Sequence, residues 1–395
     1  LGDVYKRQKK MRAIIIGAGF SGAACARRLA ENGFQVTVLE KNGAVGGNAY
    51  DEFKNGAYVH KYGPHIFHTE KQGVFEFLSR FTEWFPYEHR VLANIRGTFI
   101  PVPFNLESLY KTFPRDKAEK LDGVLRREYG EGRKVPILEL KENADADVRE
   151  FADFVFENVF RFYTQKQWGR KIEDLDPAVM RRVPVYVSYE DRYFTDKYQF
   201  QPKKGFTALF ENMLRHENIA VELGCDALSR LEIREDGVYF DKKRTDDAVI
   251  YTGQADELLN YRFGKLPYRS LRFEFKTVKN PFQPAAVVNY TVNEEYTRIS
   301  EFNKFTCEKA EGATSEIVYE YPLEYETGKG MIAYYPVASE KNAALYEKYK
   351  SYLTRYKNFR LLGRLGNYKY INMDAAVENA LALADEIVGE AEKRL

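Results

Sequence analysis

Arg12-Ala13-Ile14-Ile15-Ile16, followed at once by Gly17-Ala18-Gly19-Phe20-Ser21-Gly22, is the stretch on which the fold turns. A short and almost wholly apolar run suits a strand buried on both faces of a parallel sheet. Small residues from Ser21 to Asn32, with Leu29 among them, predict a helix that Gly33 ends, and Gln35-Val36-Thr37-Val38-Leu39 predicts a second strand closing in Glu40. The result is a complete β-α-β unit. Gly17, Gly19 and Gly22 stand as G-x-G-x-x-G between strand and helix, where glycine permits a tight turn, close approach to a pyrophosphate and close helix–strand contact. The helix N-terminus, with its unpaired N–H groups and partial positive charge, faces the phosphates, flanked by Phe20 and Ser21. Glu40, followed by Lys41, is placed to accept from the ribose hydroxyls of a bound dinucleotide.

The next segment, Lys41-Asn42-Gly43-Ala44-Val45-Gly46-Gly47-Asn48, resembles the E-(x)n-G-G loop of the glutathione-reductase-like FAD proteins. That resemblance implies FAD in place of NAD, with Gly46 and Gly47 exposing N–H groups to the same diphosphate and Asn48 beside them. Near the other end, Leu362-Gly363-Arg364-Leu365-Gly366 leads through Tyr368 and Tyr370 to Asn372 and Met373-Asp374 at a helix start. Arg364 is expected to meet a flavin or phosphate group, and the helix amides beyond Asn372 to stabilise negative charge on the flavin N1–O2 edge.

Working outward, 395 residues suit two or three subdomains that share strands. Leu106–Thr112, Arg115–Tyr129, Ile137–Glu142 and Val148–Tyr163 read as helices, so an inserted helical subdomain is expected. Tyr198–Gln201, Ala220–Leu223, Ala248–Thr252, Leu271–Phe275, Ala286–Thr291 and Glu316–Tyr321 read as strands, expected to be antiparallel. Phe359–Leu362 adds a strand, and Asp374–Val388 an amphipathic helix returning to the first subdomain. The expected fold class is α/β: an FAD-binding Rossmann-like βαβ domain with an inserted helical subdomain and an antiparallel β-sheet subdomain. The FAD-binding domain takes 11–100, 203–262 and 341–395, the helical substrate lid 101–170, and the sheet domain 171–202 and 263–340, with some of its strands inside 11–100.

Near-equal acidic and basic counts leave a net charge of +2, which gives no footprint for nucleic acid or an anionic membrane. Cys25, Cys225 and Cys307 are far apart and odd in number, which excludes a full disulfide framework and points to a reducing, cytoplasmic setting. No run approaches the roughly 18 to 20 apolar residues of a membrane span, so no membrane insertion is expected. Residues 1–10 lack a signal peptide's apolar core and read as an extension outside the fold.

Tyr62-Gly63-Pro64-His65-Ile66-Phe67-His68, Tyr163-Thr164-Gln165-Lys166-Gln167-Trp168-Gly169, Arg182-Val183-Pro184, Arg192-Tyr193-Phe194, Tyr296-Thr297-Arg298-Ile299, Tyr334-Tyr335-Pro336 and Gly363 to Asp374 occur in this order. Together they resemble the UDP-galactopyranose mutase family over essentially the whole chain from Met11. The resemblance implies a redox-neutral isomerase that interconverts UDP-galactopyranose and UDP-galactofuranose for a microbial cell-wall glycan. It implies FAD active only when reduced, with flavin N5 as covalent nucleophile at the sugar anomeric carbon and UDP as leaving group. It also implies an external reductant for the flavin and a homodimer.

By family position Arg182 and Arg298 are the catalytic arginines, and a planar guanidinium that stays protonated suits a departing diphosphate. Tyr193, Tyr335 and Tyr370 are expected around the diphosphate and sugar, where a phenol donates to anionic oxygen while its ring walls the pocket. Tyr163 is expected to stack on the uracil, Asn289 to read its polar edge, and Trp168 to belong to a mobile lid that excludes water. His65 and His68 are assigned to the flavin or sugar side among the catalytic residues, and His89 to substrate. No metal is expected, since the spacing of His60, His65, His68 and His89 matches no zinc pattern. Asn372, where the family reads Asp, and Tyr186, where it often has arginine, depart from the pattern and bear on substrate preference. Two alternatives stand beside this reading: an FAD-dependent oxidoreductase of the amine-oxidase type, and a non-catalytic flavoprotein.

Overall fold

Ala13 to Ile16 are buried because the strand they form, β1 (Arg12–Ile16), lies in the middle of a parallel sheet covered on both faces. The structure, a computed structural model, describes residues 11–169, 171, 184–305 and 313–393. After β1 come α1 (Phe20–Glu31) and β2 (Gln35–Glu40), which pairs with β1 from Arg12↔Gln35 to Ile16↔Leu39. The chain then leaves this sheet. β3 (Val91–Ile95) and β4 (Thr98–Val102) form a hairpin at the edge of a second sheet.

A helical subdomain follows, made of α2 (Leu106–Thr112), α3 (Arg115–Tyr129), α4 (Ile137–Lys141), α5 (Ala146–Val155) and α6 (Phe162–Trp168). A capping box starts α2, with Ser108 N–H donating to Asn105 Oδ1 at 2.9 Å. The single helix expected over Val148–Tyr163 is corrected: α5 ends at Val155 and passes through a π-helical turn, Phe156–Arg161, into α6. Within that turn the carbonyl of Asn158 accepts from Thr291 Oγ1 at 2.6 Å, a partner from another part of the chain.

α7 (Gly205–Leu214), β5 (Ile219–Leu223) and β6 (Ala248–Tyr251) return to the first sheet. β7 (Tyr268–Lys279), β8 (Val287–Tyr290), β9 (Arg298–Glu301), β10 (Thr314–Glu324) and β11 (Tyr335–Pro336) build the second, after which β12 (Phe359–Leu361) and α8 (Met373–Glu392) rejoin the first. The first sheet has the order β5-β2-β1-β6-β12 and every pairing in it is parallel. Ala220–Leu223 and Ala248–Thr252, expected to be antiparallel, are thus corrected to parallel neighbours of β2 and β1. The second sheet runs β11-β7-β10-β9-β8-β3-β4 and is antiparallel except between β8 and β3.

Small residues let α1 and α8 approach: Ala23, Ala26 and Ala30 share a core with Val377, Ala380 and Ala384, and α7 adds Phe206 and Phe210. A second core lies between the helical subdomain and the second sheet, and a third is built around Tyr251, Tyr268 and Tyr349. These cores leave a cleft between the C-terminal ends of β1 and β6 and the segment 331–334 that leads into β11, where ligands bind in sheets of this kind. Among the described residues no helix is long and apolar enough to cross a membrane.

Candidate active site

Gly17 adopts φ +101°, and a Cβ there would collide with Thr252 Oγ1, which donates to Ile16 O at 2.6 Å. A Cβ on Gly22 would run into the carbonyl of Gly17, so the helix seats directly on the turn before it. Gly47 faces Gly19, where an added Cβ would lie 3.1 Å from Gly19 Cα. Bare backbone of two glycine loops therefore lines one side of a groove of about 350 Å³, together with Phe20, Ser21, Glu40, Lys41, Asn48 and Asn372. Space that only glycine leaves open, at the N-terminus of α1, fits the diphosphate of a dinucleotide.

Two expectations at this end are refined. Gly46 donates its N–H to Ala18 O at 3.0 Å, which ties the second loop to the first and removes that donor from a ligand. Glu40 is buried and already accepts from Ala18 N at 2.8 Å and from Asn42 N and Nδ2 at 2.9 and 2.8 Å, so a ribose meets only its remaining lone pairs. Phe20 itself points into the core, edge-on to Phe206 and Phe210.

At the far end of the groove Arg364 donates to Ile371 O at 2.8 Å and Tyr334 O at 3.3 Å, with its guanidinium 5.3 Å from the Tyr335 ring centre and 4.9 Å from that of Tyr370. Asn372 precedes α8 without capping it, and Met373 begins the helix. Asp374 in the first turn is turned aside, accepting from Thr69 Oγ1 at 3.1 Å with Lys71 Nζ 3.7 Å away. The first turn of α8, with Met373 and Ala376, therefore lines the groove together with Arg364, and a helix N-terminus there favours negative charge.

The second sheet supplies the rest. Asn289 and Arg298 are cross-strand partners on β8 and β9, and Asn289 Oδ1 is buried with no hydrogen-bond partner among the described residues. Arg298 Nε lies 3.0 Å from Glu320 Oε1, an ion-pair approach out of line for a hydrogen bond. Burial opposes the charge on Arg298, but Glu320, reinforced by the nearby Tyr163, Tyr335 and Tyr193 hydroxyls, prevails and raises its pKa. Burial pushes Tyr163 and Tyr335 up to about 12, so both are hydrogen-bond donors at neutral pH. Tyr193 and Tyr370 are 42% and 60% exposed and form the open rim.

His65 Nδ1 sits 2.8 Å from Gly63 O, which fixes the proton on Nδ1 and leaves Nε2 as an acceptor. Its backbone N–H donates to His60 Nδ1 at 2.9 Å. Burial brings His60, His65 and His89 down to about 3, with Arg298 and His68 adding to the effect at His89, so these rings are neutral. His68 stacks on Phe194 at 3.6 Å, and its Nδ1 lies 3.0 Å from Asp196 Oδ2. His89 is edge-on to Tyr193 at 5.8 Å.

The helix carrying Tyr163 and Trp168 is braced at its C-terminal end. Gly169 takes the left-handed conformation that ends α6, its N–H donating to Gln165 O at 2.8 Å. A Cβ on Gly169 would lie 2.5 Å from Arg269 Nη1, so the chain lies flat against that guanidinium. Arg269 donates to Gln167 O at 3.0 Å and Lys166 O at 3.4 Å, a cation meeting the negative end of a helix.

Thus Tyr163, Tyr193, Tyr335 and His89 come together around the Arg298 guanidinium, with His68 next to His89, and the glycines, Arg364, Asn372 and Met373 around the groove. Arg182 lies outside the described residues. Tyr186 is on a different surface: its N–H donates to Phe104 O, and its ring lies under Lys134 Nζ at 5.2 Å, so that departure does not alter the groove. Sequence reasoning missed Thr252, Glu320, Lys166 and Arg269. Only Lys166, inside Gln165-Lys166-Gln167-Trp168-Gly169, stood in a motif that could have drawn notice.

A parallel sheet, two glycine loops and a helix N-terminus at each end of one groove define the class: a Rossmann-type flavoprotein with a second, mostly antiparallel sheet. A family model described as UDP-galactopyranose mutase matches residues 158–370, and one described as an NAD(P)-binding Rossmann-like domain matches residues 15–81. The chain is 36% identical over 379 residues to a probable UDP-galactopyranose mutase of Klebsiella pneumoniae, spanning 95% of this chain and 94% of that one. It is 32% identical to a dTDP-fucopyranose mutase of Escherichia coli, spanning 94% and 97%. A solved structure of reduced UDP-galactopyranose mutase shares the fold with a TM-score of 0.69 at 16% identity, over 96% of this chain and 94% of that one. The chain belongs to the UDP-galactopyranose mutase family, a family of flavin-dependent isomerases.

Proposed function

We propose that the chain interconverts UDP-galactopyranose and UDP-galactofuranose, with FAD in its reduced form. The observation that carries this reading is the pair Asn289 and Arg298: an orphaned buried amide oxygen beside a cation held by a buried carboxylate. With the Tyr163 ring above, that order of groups suits a base edge followed by a diphosphate. When bound, reduced FAD supplies N5 as the nucleophile for the anomeric carbon, with UDP as the leaving group.

The protein's own residues supply the rest. Negative charge concentrates on the diphosphate as it departs, so a guanidinium locked in the charged state lowers that barrier, and Arg182 is the second such group. Tyr335, protonated at neutral pH, donates to the anionic oxygens, with Tyr193 and Tyr370 on the rim. Neutral His65 offers Nε2 as an acceptor for a sugar hydroxyl, and neutral His89 keeps a competing positive charge away from the diphosphate clamp. Residues 101–170 act as a lid domain that excludes water, residues 11–100, 203–262 and 341–395 hold the cofactor, and 171–202 with 263–340 hold the substrate. A cytoplasmic homodimer fed by an external reductant completes the proposal.

The test is chromatographic conversion of UDP-galactofuranose by the purified protein, with bound FAD oxidised and then chemically reduced without oxygen. Conversion only after reduction supports the reading. No conversion by protein that holds reduced FAD overturns it, and turnover of dTDP-fucofuranose in its place would reassign the substrate.

A further inference from the structure

β8 ends at Tyr290 and β9 begins at Arg298, so the backbone between them runs outside the ladder and needs donors from elsewhere. One side chain supplies three. Lys166 Nζ, projecting from α6, donates to Tyr290 O at 2.6 Å, Glu294 O at 2.8 Å and Tyr296 O at 3.2 Å. All three ammonium protons thus go to a single loop of a distant segment. The bond from Thr291 Oγ1 to Asn158 O ties the same loop to the π-helical turn that precedes α6.

What hangs from the two ends of that contact gives it meaning. The loop is flanked by Asn289 and Arg298, and the helix carries Tyr163 one turn before Lys166, on the same face. Base stacking and base-edge reading therefore come from two elements whose spacing no strand pairing sets. Arg298 has its own support in Glu320 on β10, whereas the link from Asn289 to Tyr163 runs through this loop, held by Lys166 and, at its start, by Thr291.

We propose that Lys166 is a positioning residue for the nucleotide base: its ammonium pins the 291–297 loop to α6 and so sets the gap between Tyr163 and Asn289. It touches no ligand itself. The inference rests on the uridine-nucleotide reading above. Loss of the pin widens the base subsite while the diphosphate clamp stays in place, so selectivity among bases falls more than attraction for diphosphate.

The test uses FAD-loaded protein with Lys166→Met and Lys166→Arg, titrated calorimetrically with UDP and with ADP, alongside flavin content and Tm. Lys166→Met is expected to weaken UDP binding about tenfold, as lost charge-assisted bonds do, and ADP binding much less, with flavin content and Tm close to those of the unaltered protein. Lys166→Arg, which keeps the donors, should recover part of the UDP affinity. Unchanged UDP affinity in Lys166→Met, or a loss that tracks falling flavin content and Tm, overturns the pin. Failure of the unaltered protein to bind UDP overturns the uridine reading, and the pin with it.

Discussion

Glu320 on β10 holds Arg298 on β9 by its Nε edge, 3.0 Å from carboxylate Oε1, and the carboxylate is almost wholly buried while the guanidinium is not. The pair is thus oriented, with the anion behind and the cation the more exposed of the two. Replacing Glu320 by Gln removes the countercharge without changing the shape. We expect kcat/KM for UDP-galactofuranose to fall by at least about tenfold, equivalent to roughly 1.4 kcal/mol. Retained flavin, with Glu320→Asp recovering part of the rate, would confirm a positioning role. Full activity in Glu320→Gln would refute it.

The cradle makes a sharper prediction. Gly17→Ala drives a methyl group into Thr252 Oγ1 at a backbone angle that favours glycine, so the protein should purify with little FAD. Gly43→Ala, in the second loop but facing open space, is the control and should keep normal flavin absorbance. Equal flavin content in the two variants would remove Gly17 from the cofactor site.

Asn289, which the proposed function gives to the nucleotide base, carries a test of that role. Its buried Oδ1 has no hydrogen-bond partner among the described residues, so Asn289→Ala should leave stability unchanged or raise it by up to about 1 kcal/mol while weakening UDP binding. Thermal unfolding with and without UDP measures both. A clear drop in Tm without UDP would mean that the amide serves the fold.

The buried histidines set a pH window. His60, His65 and His89 sit at about 3 in the fold, against 6.5 as the ordinary value, so the folded state binds fewer protons than the unfolded chain between these limits. Stability is fully present above pH 6.5 and is lost as pH falls toward 3, by on the order of 1 kcal/mol per pH unit for His60 and His89, and by less for His65, which is half-buried in the groove wall. Urea unfolding at pH 7 and pH 5 tests this, and equal midpoints would show that the rings are hydrated.

Much of this was legible in the sequence because it is local. The β1-α1-β2 unit, most helices of the helical subdomain and the start of α8 follow from apolar spacing and glycine placement within short windows. Strand direction was not legible: Ala248–Tyr251 reads as a strand, but only its neighbour β1 makes it parallel. The π-helical turn was hidden for a similar reason, since Thr291, which binds Asn158 O, lies far along the chain. Arg298 stood out by motif, whereas Glu320 and Arg269 act through partners that a linear reading cannot pair with them.

The order β5-β2-β1-β6-β12, with α8 packed on α1, has a consequence for how the molecule is made. The glycine loops leave the ribosome first, yet the strand beside β6 and the helix that walls the flavin end come from residues 359–392. Residues 359–392 must be made before the cofactor layer can close, and such sequence-distant pairings fold slowly. Flavin capture accordingly waits for a segment more than three hundred residues beyond the glycine loops, and a product truncated before it would expose an unfinished sheet edge instead of a smaller working enzyme.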